Sequence, residues 1–163
     1  MTQTEKMDKA AILHVPLSQY AFATSEYSIT IRLRAKKSDL TRCVLYTADR
    51  VCRTTPICFA GTDMKICAVD ECFEYYEANL QLPYNRICYY FKLEKGKEWT
   101  YYYADRFTKE LPDRVVDGKL IDGRSEYYQY PFILRDEIPD VPEWFKEAVV
   151  YNIFPDSFAN GKC

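Results

Sequence analysis

The stretch Tyr27-Ser28-Ile29-Thr30-Ile31-Arg32-Leu33-Arg34 constrains the fold more than any other part of the chain, because apolar and polar residues alternate along it. Ile29, Ile31 and Leu33 fall on one side of an extended backbone and Thr30, Arg32 and Arg34 on the other, the period-two signature of a half-buried strand. More short runs of this kind follow. Arg42 to Thr47 carries Cys43 and Leu45 on one face and Val44 and Tyr46 on the other, so it reads as a strand buried on both sides. Phe73 to Leu80 is strand-like and is closed by Pro83-Tyr84-Asn85, after which Ile87 to Leu93 begins another run. Glu94-Lys95-Gly96-Lys97 holds a glycine able to take positive φ and predicts a hairpin into Glu98 to Tyr103. Short strands at this spacing specify an all-β fold, an antiparallel sandwich or barrel, over residues 12–133.

Composition agrees with a packed domain and narrows what it does. A chain of 163 residues has room for one ordinary domain and a tail. Hydrophobic residues at 48% and charged residues at 28% set it apart from disordered sequences. Aromatics reach 16%, mostly through 15 tyrosines, which suits either a Tyr-rich core or a sheet with one face open to a ligand or protein. A net charge of −2 gives no field for a polyanion, and Arg32, Arg34, Lys36 and Lys37 read as the solvated face of a strand, so nucleic acid is excluded as a partner. No run of ~18 apolar residues is present to span a membrane, and the polar residues 1–11 do not resemble a secretory signal. The expected location is therefore cytoplasmic. Seven cysteines, an odd number with no C-x-x-C spacing, fit reduced thiols better than a disulfide scaffold or a zinc site. The lone His14 has no nucleophile context and reads as a packing or surface residue.

Domain boundaries follow from changes of texture. Residues 1–11 are expected to be a flexible N-terminus. Pro112, Asp117-Gly118 and Asp122-Gly123 mark an irregular stretch after Asp105, with a last strand over residues 127–132. Residues 134–148 are expected to be a linker and a short helix, the helix led by Pro142 and Glu143. Residues 149–163 open with Val149-Val150-Tyr151-Asn152-Ile153-Phe154, an apolar run of the kind that enters a fully buried parallel sheet.

The tail sequence Ala148-Val149-Val150-Tyr151-Asn152-Ile153-Phe154-Pro155-Asp156-Ser157-Phe158-Ala159-Asn160-Gly161 resembles F-Y-Q-I-F-P-D-R-F-A-N-G, the first barrel strand and loop of neopullulanases, cyclomaltodextrinases and maltogenic amylases of the alpha-amylase family. Upstream, Trp144-Phe145-Lys146 resembles their W-V/F-K. Asp70 to Glu77 is similar to D-E-L-F-D-Y-W-E, Pro83 to Phe91 to P-Y-x-R-L-x-Y-Y-F, and Ile31 to Lys37 to L-R-L-R-T-K-K. The likeness departs in three places. Thr47 to Cys52 holds no Tyr or Trp where relatives carry aromatics, Ser157 replaces an Arg, and Lys162 stands where an Asp would follow Asn160-Gly161.

The resemblance implies an immunoglobulin-like antiparallel β-sandwich, classed as a carbohydrate-binding module, followed by a linker and the first strand segment of a (β/α)8 barrel. It implies a parent enzyme that hydrolyses α-1,4-glucosidic bonds in cyclodextrins, pullulan and maltooligosaccharides with retention. The N-terminal domain is expected to position the parent catalytic barrel, to support a homodimer and to touch maltooligosaccharide or cyclodextrin. No catalytic residue is assigned, because the paired carboxylates of retaining chemistry lie in the barrel, and the chain is expected to stop just as that barrel begins. No cofactor is expected here. Asn160 matches one ligand of the calcium site of the full-length parent, a site left incomplete by Lys162. Sugar modules stack pyranose rings on aromatic faces, which nominates Trp99, Tyr46, Tyr76, Tyr90 and Tyr102, with Trp99 placed first for its position beside the hairpin. The alternative is a free-standing immunoglobulin-like interaction module without sugar binding.

Overall fold

The computed structural model describes residues 6–54, 56–138 and 140–152. Its strands run in chain order as β1 (Ala21–Ser25), β2 (Ser28–Lys36), β3 (Arg42–Ala48), β4 (Ala60–Asp63), β5 (Lys65–Val69), β6 (Phe73–Gln81), β7 (Ile87–Lys95), β8 (Glu98–Tyr103), β9 (Arg106–Thr108), β10 (Arg114–Val116), β11 (Lys119–Ile121) and β12 (Tyr128–Tyr130). Every pairing between them is antiparallel. One sheet has the order β1-β2-β6-β5. A second runs β4-β3-β7-β8-β9, with β12 also on β7, and β10 and β11 pair only with each other among the described strands.

The alternation read from the sequence decides which side of each sheet is buried. In the first sheet the register sets Ile29 beside Leu80, Ile31 beside Ala78 and Leu33 beside Tyr76, all facing inward. The positions between them face out and pair across the strands: Ser28 Oγ donates to Gln81, Thr30 Oγ1 to Asn79, and Arg32 Nε to Glu77. The basic cluster of β2 is thus an outward face on which Arg32 pairs with Glu77, Arg34 lies over the Phe73 ring and Lys36 pairs with Asp8. In the second sheet Ile87, Tyr89, Phe91 and Leu93 of β7 point into the core and meet Cys43 and Leu45 of β3 and Tyr102 of β8.

One connection tightens the second sheet and another joins the two layers. Gly96, at φ 57°, opens a two-residue turn between Lys95 and Glu98, the conformation a tight hairpin requires at its first central position. On the opposite flank, Met64 separates β4, which pairs with β3, from β5, which pairs with β6, so one continuous segment passes from one sheet to the other. The Met64 N–H donates to Cys43 O at 2.9 Å, and the Met64 side chain is buried.

A histidine lies at the centre of the core. His14, 2% exposed, is ringed by Tyr20, Tyr89, Phe91 and Tyr128. Its Nδ1 lies 2.7 Å from Arg32 O, an acceptor only, so Nδ1 carries the proton and Nε2 accepts from Tyr89 Oη at 2.9 Å. Burial depresses its pKa to about 4, against a smaller opposing effect of the Arg32 carbonyl. Nearby, Asp105 Oδ1 accepts from Tyr102 and Tyr128, tying the turn between β8 and β9 to the same knot.

Several boundaries differ from the sequence reading. The ordered chain starts before residue 12: Met7 is buried, its N–H donates to Glu98 Oε2 at 2.8 Å, and the Asp8 N–H donates to the buried Asp39 carboxylate at 2.9 Å. These contacts fasten a segment expected to be flexible. The stretch read as irregular contains the hairpin β10–β11, turned by Asp117 and Gly118, both at positive φ as a type I′ turn needs. The linker is docked at its start, since Ile138 packs on the core a few residues after Ile133, whose N–H donates to Asn85 O. A helix follows at Glu143–Lys146. Val149 to Asn152 form no strand, and Val149, Val150 and Tyr151 are 77%, 69% and 83% exposed, because the sheet such a run would enter is not among the described residues. Ile153 and Phe154 lie outside those residues.

Candidate carbohydrate-contact surface

Alternation along β7 gives the second sheet two aromatic faces. While Tyr89 and Phe91 point inward, Tyr90 points outward and would stand alone on a sheet surface were it not covered. Strand register supplies the cover. Tyr46 of β3 is directly opposite Tyr90, and the two rings stack at 4.9 Å with 3° between their planes. Tyr101 of β8 meets Tyr90 edge-on, and Phe59 and Tyr127 close the other sides. Tyr90 is left 4% exposed, and desolvation, with three tyrosines beside it, pushes its phenol pKa well above the ordinary range. The rings above it, Tyr46 and Tyr101, remain half-buried.

The ridge continues along β8. Trp99 packs edge-on against Tyr101 at 5.2 Å and is half-buried. Lys92 Nζ lies 5.5 Å and Lys109 Nζ 3.9 Å from its ring centroid. Polar groups border the aromatic strip. Lys92 pairs with Glu94 at 2.7 Å, and Arg42 engages both carboxylate oxygens of Asp63. The Arg42 contact holds the Asp63 pKa below its usual value. Gly61 of β4 sits across from Tyr46, and a Cβ there would lie 3.0 Å from Tyr46 Cε1, so the glycine leaves the space in which the ring lies flat. Such a strip, with apolar faces flanked by charged donors and acceptors, has the chemistry that a sugar ring requires: a π surface for its C–H face and hydrogen-bond partners for its hydroxyls.

Of the residues nominated from sequence, Tyr46, Tyr90 and Trp99 lie on this outer face, but Tyr90, 4% exposed, is its covered floor, so only Tyr46 and Trp99 are left to touch a ligand. Tyr76 and Tyr102 do not. Tyr76 is 5% exposed on the inner face of the first sheet, where its hydroxyl donates to Leu40 O and Glu74. Tyr102 is 4% exposed on the inner face of the second sheet, stacked on Phe107. Neither ring can receive a ligand. Tyr101 and Phe59 were missed. Strand parity could have found Tyr101, because positions 99 and 101 share a face and 102 does not. Asn160 lies outside the described residues, and among the described residues no group of three or more His, Cys, Asp or Glu side chains is placed to hold a metal ion. Nor is any described helix long and apolar enough to cross a membrane. The six described cysteines are unpaired, and burial raises the pKa of Cys88, on the same outer face as Tyr90, to about 12.

Comparison with known proteins gives this surface a context. Residues 7–134 match the family described as the alpha amylase N-terminal ig-like domain. The chain is 36% identical over 159 residues to neopullulanase 2 of Thermoactinomyces vulgaris, a match covering 93% of this chain and 24% of that protein. It is 32% identical over 151 residues to a cyclomaltodextrinase from a Bacillus species, covering 93% of this chain and 25% of the relative. A solved structure of a cyclomaltodextrinase superposes with a TM-score of 0.71 at 30% identity, over 94% of this chain and 24% of that one. The chain thus spans about a quarter of the length of the curated relatives it matches. With a sandwich of two antiparallel sheets and a family match over most of its length, the chain belongs to the N-terminal immunoglobulin-like domains of the alpha-amylase family.

Proposed function

We infer that the chain works as the non-catalytic N-terminal domain of a longer α-1,4-glucan-degrading glycosidase, and that the outer face of its second sheet contacts oligosaccharide. The observation that carries the second part is the ridge of Tyr46, Tyr101 and Trp99: large rings kept partly exposed above a buried Tyr90 floor and bordered by ionic side chains. The relatives named above are a neopullulanase and a cyclomaltodextrinase, which favours cyclodextrin or maltooligosaccharide as the sugar. In the parent enzyme the domain also orients the catalytic barrel and supports a homodimer. The exposed Trp144, Phe145, Val149, Val150 and Tyr151 form the apolar end through which it joins that barrel. Unpaired thiols suit a reducing compartment, and we place the protein in the cytoplasm.

Isothermal titration of the chain with maltotriose and β-cyclodextrin tests the sugar contact. Saturable heat that disappears in Tyr46→Ala, with unchanged circular dichroism, is the expected result. Absence of heat with both sugars at millimolar concentration overturns it and leaves a purely architectural domain.

A further inference from the structure

Trp99 is the largest ring on the ridge, yet its faces are not free. Lys109, in the segment that follows β9, places its ammonium 3.9 Å from the indole centroid and donates a hydrogen bond to the Trp99 carbonyl. Lys92 approaches to 5.5 Å but is held by Glu94 at 2.7 Å. The two lysines differ in what restrains them. Among the described residues Lys109 makes no ion pair, and its side chain is exposed. A cation over an aromatic ring takes the position that the C–H face of a pyranose would take, since both are drawn to the electron-rich face of the ring.

We propose that Lys109 is an intrinsic cap on Trp99, a tethered competitor that must lift from the indole before a sugar ring can stack there. The proposal rests on the reading of the ridge as a sugar contact and adds to it a residue that sets its affinity. Lys109 is suited to this role because, among the described residues, only the Trp99 ring and main chain restrain it. Lys92, anchored by the Glu94 carboxylate, borders the ring and stays.

An exposed cation–π contact is worth about 0.5–1 kcal/mol, which at 1.4 kcal/mol per tenfold corresponds to a two- to fivefold change in affinity. The test uses the full chain in a Trp144→Phe background, so that Trp99 is the sole tryptophan. Two quantities are measured in this parent and in Lys109→Ala and Lys109→Arg: acrylamide quenching of the indole, and Kd for maltotriose. Lys109→Ala is expected to raise the quenching constant and to lower Kd two- to fivefold. Lys109→Arg, which keeps a cation able to lie over the ring, is expected to behave like the parent. Unchanged quenching in Lys109→Ala shows that the ring is not capped and overturns the proposal. Raised quenching with an equal or higher Kd overturns it too, while leaving sugar binding intact. If none of the three proteins binds maltotriose, the ridge is not a sugar contact, and the proposal falls with the reading it rests on.

Discussion

The two faces of β7 use the same kind of residue for opposite ends. Inward, Tyr89 and Phe91 surround His14, and the polar atoms of that knot are matched: Nδ1 to Arg32 O, Nε2 to Tyr89, Asp105 to Tyr102 and Tyr128. Outward, Tyr90 is covered by other rings, of which Tyr127 is buried while Tyr46, Tyr101 and Phe59 are half open to solvent. The inner cluster spends its aromatic area on stability. The outer one holds part of that area back. An excess of tyrosine is therefore no single signal, since neighbouring tyrosines on one strand answer to different demands.

The largest expected effect breaks this comparison at its root. Phe91→Ala should cost about 3–5 kcal/mol, as deletion of a fully buried aromatic ring does, whereas Tyr46→Ala on the outer face should cost about 1 kcal/mol or less. Urea denaturation of the two variants measures both; similar losses would show that the outer rings are core after all.

The second effect belongs to the inner face alone. His14 is held neutral by burial with a folded pKa of about 4, against about 6.5 in the unfolded chain. Between these values the unfolded state takes up a proton that the native state refuses, so stability falls as pH drops from about 6.5 toward 4 and gains nothing above that window. The loss is on the order of 3 kcal/mol, at 1.36 kcal/mol per pKa unit. Carboxylates such as Asp49, which Arg86 holds below its usual pKa, act in the same direction, but only once the pH has fallen into the carboxylate range. His14→Gln should flatten the upper window specifically, as read from urea midpoints at pH 7, 6 and 5.

The smallest effect sharpens the outer face. Gly61→Ala brings a methyl group to 3.0 Å from Tyr46 Cε1, so the ring must tilt by a few tenths of an ångström. A stability change of about 1 kcal/mol or less is expected, together with weaker maltotriose binding by titration. Retained affinity would mean that the flat pose of Tyr46 is not required.

Much of this was legible in the sequence, and the failures have physical causes. Alternation at Ile29, Ile31 and Leu33 located β2, because one-sided burial imposes period two, while β3 and β7 were legible as short apolar runs bounded by turn residues. The hairpin β10–β11 escaped although Asp117-Gly118 flanked by Val115, Val116, Leu120 and Ile121 is a strong short-range turn signal. Its strands span three residues each, too few to show a period. Met7 was missed because a single apolar residue carries no pattern, and its burial depends on Glu98, far along the chain. The choice of Tyr76 shows the limit most clearly. Which of Tyr75 and Tyr76 faces inward is fixed by the register of β6 against β2, a long-range pairing that a local window does not contain. Tyr102 is a different error, since parity with Trp99 already assigned it to the opposite side.

The passage of the chain through Met64 has a mechanical consequence. A sandwich whose sheets met only through side chains could yield by one layer sliding over the other. Here a single backbone segment is sewn into both layers within a few residues, with Met64 bonded to the Cys43 main chain at the crossing. Along that flank, shear between the layers is opposed by covalent bonds as well as by packing. Along that flank the two layers therefore answer a lateral load as one body, not as a pair of separable plates.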